Sequence, residues 1–179
     1  GSVGLDQLSA TGTKDSTTFL RGDNTFATAG GDNTPAFEAT ASTDQSGTHQ
    51  TFTKVNFNTE VFDTDGNYDH TGNYRFTPTT AGKYYIYANV RVGSTSANVV
   101  DAAEVAIYKN GSAYKVTEIS PPNATNINLV NLGVFSVIEF NGSSDYVEVF
   151  YYVDNSAGEN QKVFANATHT VFGGYKIIE

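Results

Sequence analysis

Three carboxylates lie within seven residues of one another, in the stretch that runs from Asp63 through Asp65 to Asp69, with Gly66 and Asn67 between them. Hard cations such as calcium bind oxygen ligands of this kind. However, the acidic residues do not follow the order of a calcium-binding helix–loop–helix, and Asp-Gly-Asn is also common in turns. The stretch therefore has two interpretations, a calcium site formed by these three aspartates and a turn without metal, and we favour the turn.

The residues that could support catalysis are not arranged for it. His49, His70 and His169 have no second histidine or cysteine at the spacing of zinc ligands. The sequence lacks the Gly-x-Ser-x-Gly motif that presents a nucleophilic serine. Sugar cleavage requires a pair of carboxylates, and the sequence does not distinguish such a pair among its 19 acidic residues. We therefore predict that the protein is not an enzyme.

Arg21, Gly22 and Asp23 form the tripeptide that integrins recognise. Glycine between two opposite charges is also typical of a turn closed by an ion pair. We favour the turn, because the surrounding sequence gives no independent sign of integrin binding.

The composition is typical of short strands joined by many turns. Hydrophobic residues make up 39% of the 179 residues, with 11 Tyr and 12 Phe, which is sufficient for a core. The formal net charge is −9 and no lysine or arginine cluster occurs, so we predict no nucleic-acid partner. No apolar run is long enough to cross a bilayer, so we predict no membrane insertion. Cysteine is absent, which excludes disulfides and thiolate metal sites.

The pattern of residues divides the chain into two parts. Residues 1–34 are rich in Gly, Thr, Ser and Asp and sustain neither a helical nor a strand period. They end in a cluster of Gly, Asp, Asn and Pro at 30–35 that is typical of a hinge. Residues 35–179 are dense in strand patterns. We therefore predict an extended, shaft-like segment over 1–34 and an all-β domain over 35–179.

Alternating side chains predict two clear strands in the second part. Between residues 83 and 92 one face is apolar, and Ala103, Val105 and Ile107 repeat the alternation further on. The residues of the first apolar face are Tyr84, Ile86, Ala88, Val90 and Val92. The pair Asn110-Gly111 predicts a tight hairpin after the second strand, because both residues adopt positive φ at little cost.

The strand predicted over residues 146–153 is apolar on both faces. Val147, Val149, Tyr151 and Val153 form one row, and Tyr146, Phe150 and Tyr152 form most of the other. Such a strand is either central in a thick sandwich or covered on its outer face by another subunit. The pattern alone does not separate these alternatives.

Seven aromatic, acidic, glycine and aliphatic residues between positions 57 and 86 are spaced as strands and turns require: Phe57, Asp63, Tyr68, Phe76, Gly82, Tyr84 and Ile86. This spacing resembles the signature of the globular head of complement component 1q, whose jelly-roll fold is shared with tumour necrosis factor. Four shorter segments agree with the resemblance, at residues 35–37, 72–76, 145–147 and 172–175. Ile86 and Ala88 stand where that family has aromatic residues, so neighbouring side chains must fill the volume.

The resemblance implies a ten-stranded jelly-roll sandwich that forms a tight homotrimer. A contact between two different surfaces of neighbouring subunits forms a closed ring when the rotation between the subunits brings the last one back to the first. Aromatic strands supply apolar area for such a contact to bury. The candidate interface residues are Tyr146, Phe150, Tyr152 and Tyr175, although packing within one subunit is an equal alternative. Some relatives bind calcium near the trimer axis, and three copies would carry a formal charge of −27, so the resemblance makes calcium the candidate cofactor.

Residues 16–26 resemble a segment that recurs in bacteriophage tail-fibre and other virion proteins, commonly before a distal trimeric knob. This resemblance implies a virion location and attachment to other virion proteins through residues 1–34.

The combined resemblances favour a trimeric fibre or spike tip that binds a host surface glycan or protein through exposed loops. The candidate loop residues are Ser96, Asn98, Asn123, Asn126 and Asn155. A capsid-decoration protein without receptor binding is the first alternative. A hydrolase that trims polysaccharide is the least favoured.

Overall fold

A computed structural model describes residues 9–28, 33–95, 100–121 and 127–178. The chain divides into two compact units, one of residues 1–33 with the last two residues, and one of residues 34–177. All regular structure in the described ranges is β-strand. No helix among these residues is long and apolar enough to cross a membrane.

The first unit contains a short hairpin where the sequence pattern predicted no strand. Strand β1 (Thr18–Leu20) pairs antiparallel with β2 (Phe26–Thr28). Each strand has only three residues, too few to establish an alternating pattern. Residues 21–25 form the turn between them, with the charged groups of Arg21 and Asp23 exposed and 3.9 Å apart. The predicted turn at Arg21-Gly22-Asp23 is therefore confirmed.

The second unit is a sandwich of two sheets in which every paired strand is antiparallel. Its strands are β3 (Ala36–Thr40), β4 (Gln45–Gly47), β5 (Thr53–Lys54), β6 (Thr59–Asp63), β7 (Tyr68–Asp69), β8 (Arg75–Phe76), β9 (Gly82–Ser94), β10 (Val100–Lys109), β11 (Ser112–Ile119), β12 (Leu129–Phe140), β13 (Val147–Asn155), β14 (Gln161–Val163) and β15 (Val171–Lys176).

The large sheet has the order β4-β14-β9-β15-β3-β6, with β12 paired to β9, and the small sheet has the order β11-β10-β13-β8-β7, with β5 paired to β13. The described residues of this unit thus form thirteen strands rather than the predicted ten. Five of the thirteen have only two or three residues. Such short segments extend an edge and are not resolved by sequence periodicity.

Strand β9 shows why alternation identified the core. Its apolar row, which includes Tyr84, Ile86 and Val90, is fully buried between the sheets, while the intervening side chains point away from the core. Ala103, Val105 and Ile107 of β10 are fully buried in the same core. Both predicted strands are therefore confirmed, with the expected face inside.

The predicted hairpin at Asn110-Gly111 is also confirmed. Lys109 pairs with Ser112, so the loop contains only these two residues, and both have positive φ (51° and 79°). The second Asn-Gly pair, at Asn141, instead joins β12 of the large sheet to β13 of the small sheet.

Stacked aromatic rings fill one end of the core. The Phe37 ring lies 4.2 Å from that of Phe76 and 4.9 Å from that of Tyr68, measured between ring centroids. Phe172 packs edge-on against Phe37 at 4.9 Å. These residues come from β3, β7, β8 and β15, so the aromatic cluster ties together strands of both sheets.

Candidate functional site

The outward face of the large sheet carries exposed apolar side chains. Phe135 and Val137 of β12 are 62% and 48% exposed, and Tyr175 of β15 is 39% exposed. The Tyr85 ring lies between them, 6.3 Å from that of Phe135 and 5.7 Å from that of Tyr175. We call Tyr85, Tyr87, Phe135, Val137 and Tyr175 the large-sheet face. Contiguous exposed apolar surface of this kind marks an interaction site.

The register of the strands gathers these side chains on one side. Phe135 is opposite Tyr87 and Val137 is opposite Tyr85 across the β12–β9 pair. Tyr175 is opposite Tyr85 on the other side of β9. Residues directly opposite one another in an antiparallel pair point to the same face. The register that places one row of β9 side chains in the core therefore also places the other row on the large-sheet face.

Tyr87 is held in place by a glycine and a carboxylate. A Cβ atom at Gly173 would lie 2.4 Å from the Tyr87 hydroxyl oxygen, so the phenol ring crosses β15 directly above this glycine. The hydroxyl then donates a hydrogen bond of 2.7 Å to Oε2 of Glu38 on β3. Burial, and then the hydrogen bond to Glu38, raise the pKa of Tyr87, so the phenol stays protonated at neutral pH.

Replacing Gly173 by alanine is expected to destabilise the fold by about 1 to 3 kcal/mol, because the new methyl group overlaps the Tyr87 ring and approaches the Phe37 carbonyl oxygen to 2.9 Å. Urea unfolding at a fixed protein concentration measures the change. Gly133→Ala is the matched control, since its Cβ would meet no atom closer than 3.8 Å on the same sheet. Equal midpoints for the two variants would contradict this account of Gly173.

Arg91 lies on the same outward row of β9, beyond Tyr87 and Asn89. Its Nε atom is buried and has no hydrogen-bond partner in the described part of the chain. A buried donor without an acceptor costs about 1 to 3 kcal/mol. Arg91 therefore leaves an unsatisfied donor buried beneath the surface next to the large-sheet face.

The small sheet has its own outward aromatic cluster. The rings of Tyr108 and Phe150 stack at 4.2 Å, and the ring of Phe52 lies 5.3 Å from that of Tyr152 and 6.0 Å from that of Tyr108. Phe52 is 38% exposed. We call these four residues the small-sheet patch. They lie on β13, on β10 and just before β5, on the side of the sheet away from the core.

The four predicted interface residues do not share one surface. Tyr175 belongs to the large-sheet face, whereas Phe150 and Tyr152 belong to the small-sheet patch on the other sheet. Tyr146 packs against Arg75, whose guanidinium carbon lies 4.5 Å from the centroid of the Tyr146 ring. The alternation shows which side chains point outward but not which sheet holds the strand. Phe135 and Val137 were missed, although residues 132–140 have apolar side chains in both rows, as residues 146–153 do.

The predicted calcium ligands are engaged in holding their own loop. Oδ2 of Asp63 accepts the Tyr68 backbone N–H at 2.7 Å, and the side chain of Asp65 accepts a hydrogen bond from Thr64. Asp69 accepts five hydrogen bonds within the same loop. No group of three or more His, Cys, Asp or Glu side chains in the described ranges could hold a metal ion. These hydrogen bonds support the favoured turn, while the calcium set Asp63, Asp65 and Asp69 and calcium at a trimer axis stay predictions.

Asp69 is expected to make stability depend on acidity. Backbone N–H groups of Gly72, Asn73 and Thr71 hold the pKa of this carboxyl well below its usual value of about 4. Its lowered folded-state pKa means that the stabilisation is present above about pH 4 and is lost as the pH falls toward the folded-state value. Asp69→Asn should therefore be less stable than wild type at pH 7, with a difference that shrinks by pH 3.

Urea midpoints at pH 7, 5 and 3 check this prediction. Asp101→Asn is the control, because the Asp101 carboxylate forms no side-chain hydrogen bond in the ranges described. A destabilisation by Asp69→Asn that is constant over this pH range would refute the assignment to the carboxylate charge.

The three histidines each contact a polar side chain within the described ranges. Nε2 of His49 lies 3.8 Å from Oδ1 of Asp154, which is an acid–histidine pair. Its other ring nitrogen lies 3.2 Å from the Asn155 side-chain amide, where a triad would place the serine hydroxyl. His70 contacts Glu60, and His169 contacts its neighbour Thr168.

Only one of the predicted ligand-loop residues falls within the described ranges. Ser96, Asn98, Asn123 and Asn126 lie outside them. Asn155 is not in an exposed loop, since it ends β13 with only 2% of its surface exposed. Its side chain accepts the Glu159 N–H and donates to the Glu159 carbonyl oxygen, which closes the turn after the strand.

Comparison with known proteins identifies the fold. No protein-family model and no curated protein sequence matches the chain. Among solved structures, murine APRIL matches with a TM-score of 0.54 at 13% identity, over 79% of this chain and 98% of that one. Eiger TNF from S. frugiperda matches with a TM-score of 0.51 at 12% identity, over 79% of this chain and 91% of that one. The second unit is thus a jelly-roll sandwich similar to that of tumour necrosis factor.

Proposed function

We propose that the chain is the host-binding head of a bacteriophage fibre or spike and that it works as a homotrimer. The observation that carries the proposal is the large-sheet face, whose aromatic and aliphatic side chains are exposed in a single subunit. Burial of such a surface against a second copy removes apolar area from water, which is the dominant favourable term in association.

The edge of the large sheet supports a contact between copies. Strand β12 is twelve residues long and, in the described part of the chain, pairs only with β9. A long apolar edge strand invites aggregation unless it is covered. Contact of this edge with the large-sheet face of the next copy joins two different surfaces, and such contacts close into rings.

The first unit supports the virion assignment through its sequence. Residues 16–26 carry the segment that resembles bacteriophage fibre proteins, and the β1–β2 hairpin lies within residues 18–28. We assign this unit to attachment to other virion proteins and the jelly-roll unit to binding a host surface glycan or protein. The engaged side chains around the three histidines give no support to the hydrolase alternative.

Electron microscopy of intact particles with labelled antibody tests the assignment. Label at a tail-fibre or spike tip is the expected result, together with adsorption of the purified trimer to host cells. Label spread over the capsid would favour the decoration alternative. Intact trimers that adsorb to no candidate host would contradict the binding role.

A further inference from the structure

We propose that the small-sheet patch binds a neutral, hexopyranose-containing glycan. This inference rests on the proposed role as a host-binding head, and it assigns the surface and the chemical class of the ligand. The patch lies on the sheet opposite the large-sheet face, so a trimer formed through that face leaves it accessible.

The apolar part of the patch suits the C–H face of a sugar ring. Phe52 is 38% exposed, and the rings of Phe150, Tyr108 and Tyr152 adjoin it. Ala106 lies directly opposite Phe150 across the β10–β13 pair, so no large side chain rises between the rings. Aromatic residues present broad apolar surface at low entropic cost, and tyrosine adds a polar tip.

Unused hydrogen-bonding groups lie beside the rings, as sugar hydroxyls require. The hydroxyl groups of Tyr108 and Tyr152 and the carboxylate of Glu104 have no hydrogen-bond partner in the ranges that the structure describes. Glu104 is directly opposite Tyr152 on one side and Glu118 on the other. Burial and the Glu118 charge raise the pKa of Glu104, which marks a repulsive pair that a bound hydroxyl donor would relieve.

The charge around the patch selects a neutral ligand. Three carboxylates border the patch, those of Glu104, Glu118 and Glu148. Lys54 lies beside the Phe150 ring, but its charge is paired with that of Glu148. The chain as a whole carries −9. Sialylated, sulfated or phosphorylated glycans would meet like charge at this surface.

Binding of the full chain to immobilised dextran, mannan and galactan, with heparin and polysialic acid as anionic probes, tests the inference. Wild type is expected to bind at least one neutral polysaccharide and neither anionic probe. Phe52→Ala should weaken that binding about tenfold, since it removes a stacking ring. Tyr152→Phe should also weaken the binding, because it keeps the ring but removes the hydroxyl that would form a hydrogen bond with the sugar. Phe19→Ala is the matched control, because it removes a similarly exposed ring (47%) from the first unit, and it should leave binding unchanged.

Several results would overturn the inference: binding of no neutral polysaccharide by folded wild type, preferred binding of an anionic probe, or equal losses in Phe52→Ala and Phe19→Ala. A change of oligomeric state in Phe52→Ala would assign the patch to subunit contact instead. Adsorption to host cells separates this inference from the proposed function. Cells that bind wild type and Phe52→Ala equally well would leave the host-binding role standing and reject the patch.

Discussion

The variant with Phe135→Glu and Val137→Glu is expected to be a single subunit at micromolar concentration, where wild type is expected to be a trimer. Both side chains lie on the large-sheet face and are among its most exposed members. A contact that buries them would enclose two carboxylates per subunit without partners, and each costs several kcal/mol. Light scattering at several protein concentrations measures the mass directly.

Phe52→Glu is the control for this experiment, because it adds the same charge to an exposed phenylalanine on the small sheet. It should remain trimeric. A stable wild-type monomer at micromolar concentration would remove the basis of the proposed assembly. A double variant that remains trimeric would place the contact on another surface.

Phe37→Ala is expected to destabilise the jelly-roll unit by about 3 to 5 kcal/mol. The Phe37 ring is fully buried and packs against Phe76, Tyr68 and Phe172. Its removal leaves a cavity between strands of both sheets, and those rings lack the freedom to fill it. Small domains are stable by about 5 to 15 kcal/mol in total, so the loss is a large fraction.

Tyr114→Ala is the comparison, because Tyr114 lies on the edge strand β11 of the small sheet and is 49% exposed. We expect a change below about 1 kcal/mol. Denaturant unfolding at one fixed protein concentration compares the two, since oligomer unfolding depends on concentration. Similar losses in both variants would show that Phe37 is not central to packing.

The core could be predicted from the sequence because its signals are local. Alternation along β9 places every second residue inside, and Asn110-Gly111 determines its own turn. The spacing of Phe57, Tyr68 and Phe76 indicated the fold, and all three side chains are buried. The alternation and the turn depend on neighbours within a few positions, so no knowledge of the tertiary arrangement was needed, whereas the longer spacing indicated the fold through its resemblance to a known family.

The surfaces could not be predicted in the same way, because they depend on which strands become neighbours. Phe150 and Tyr175 are both outward-pointing aromatics, but only the pairing of β13 with β10 and of β15 with β9 separates them onto different sheets. Asn155 resembled a loop residue because a turn follows it directly. Phe52 joins the small-sheet patch through contacts with residues more than fifty positions away, for which the local sequence gives no signal.

The placement of the two aromatic surfaces on opposite sheets has a consequence for engineering. A packed core about 10 Å thick lies between them, so substitutions on one should combine additively with those on the other. Residues around Phe52 and Tyr152 could be randomised in a library while the residues around Phe135 are kept. The jelly roll would then serve as a modular display scaffold whose recognition is selected separately from its assembly.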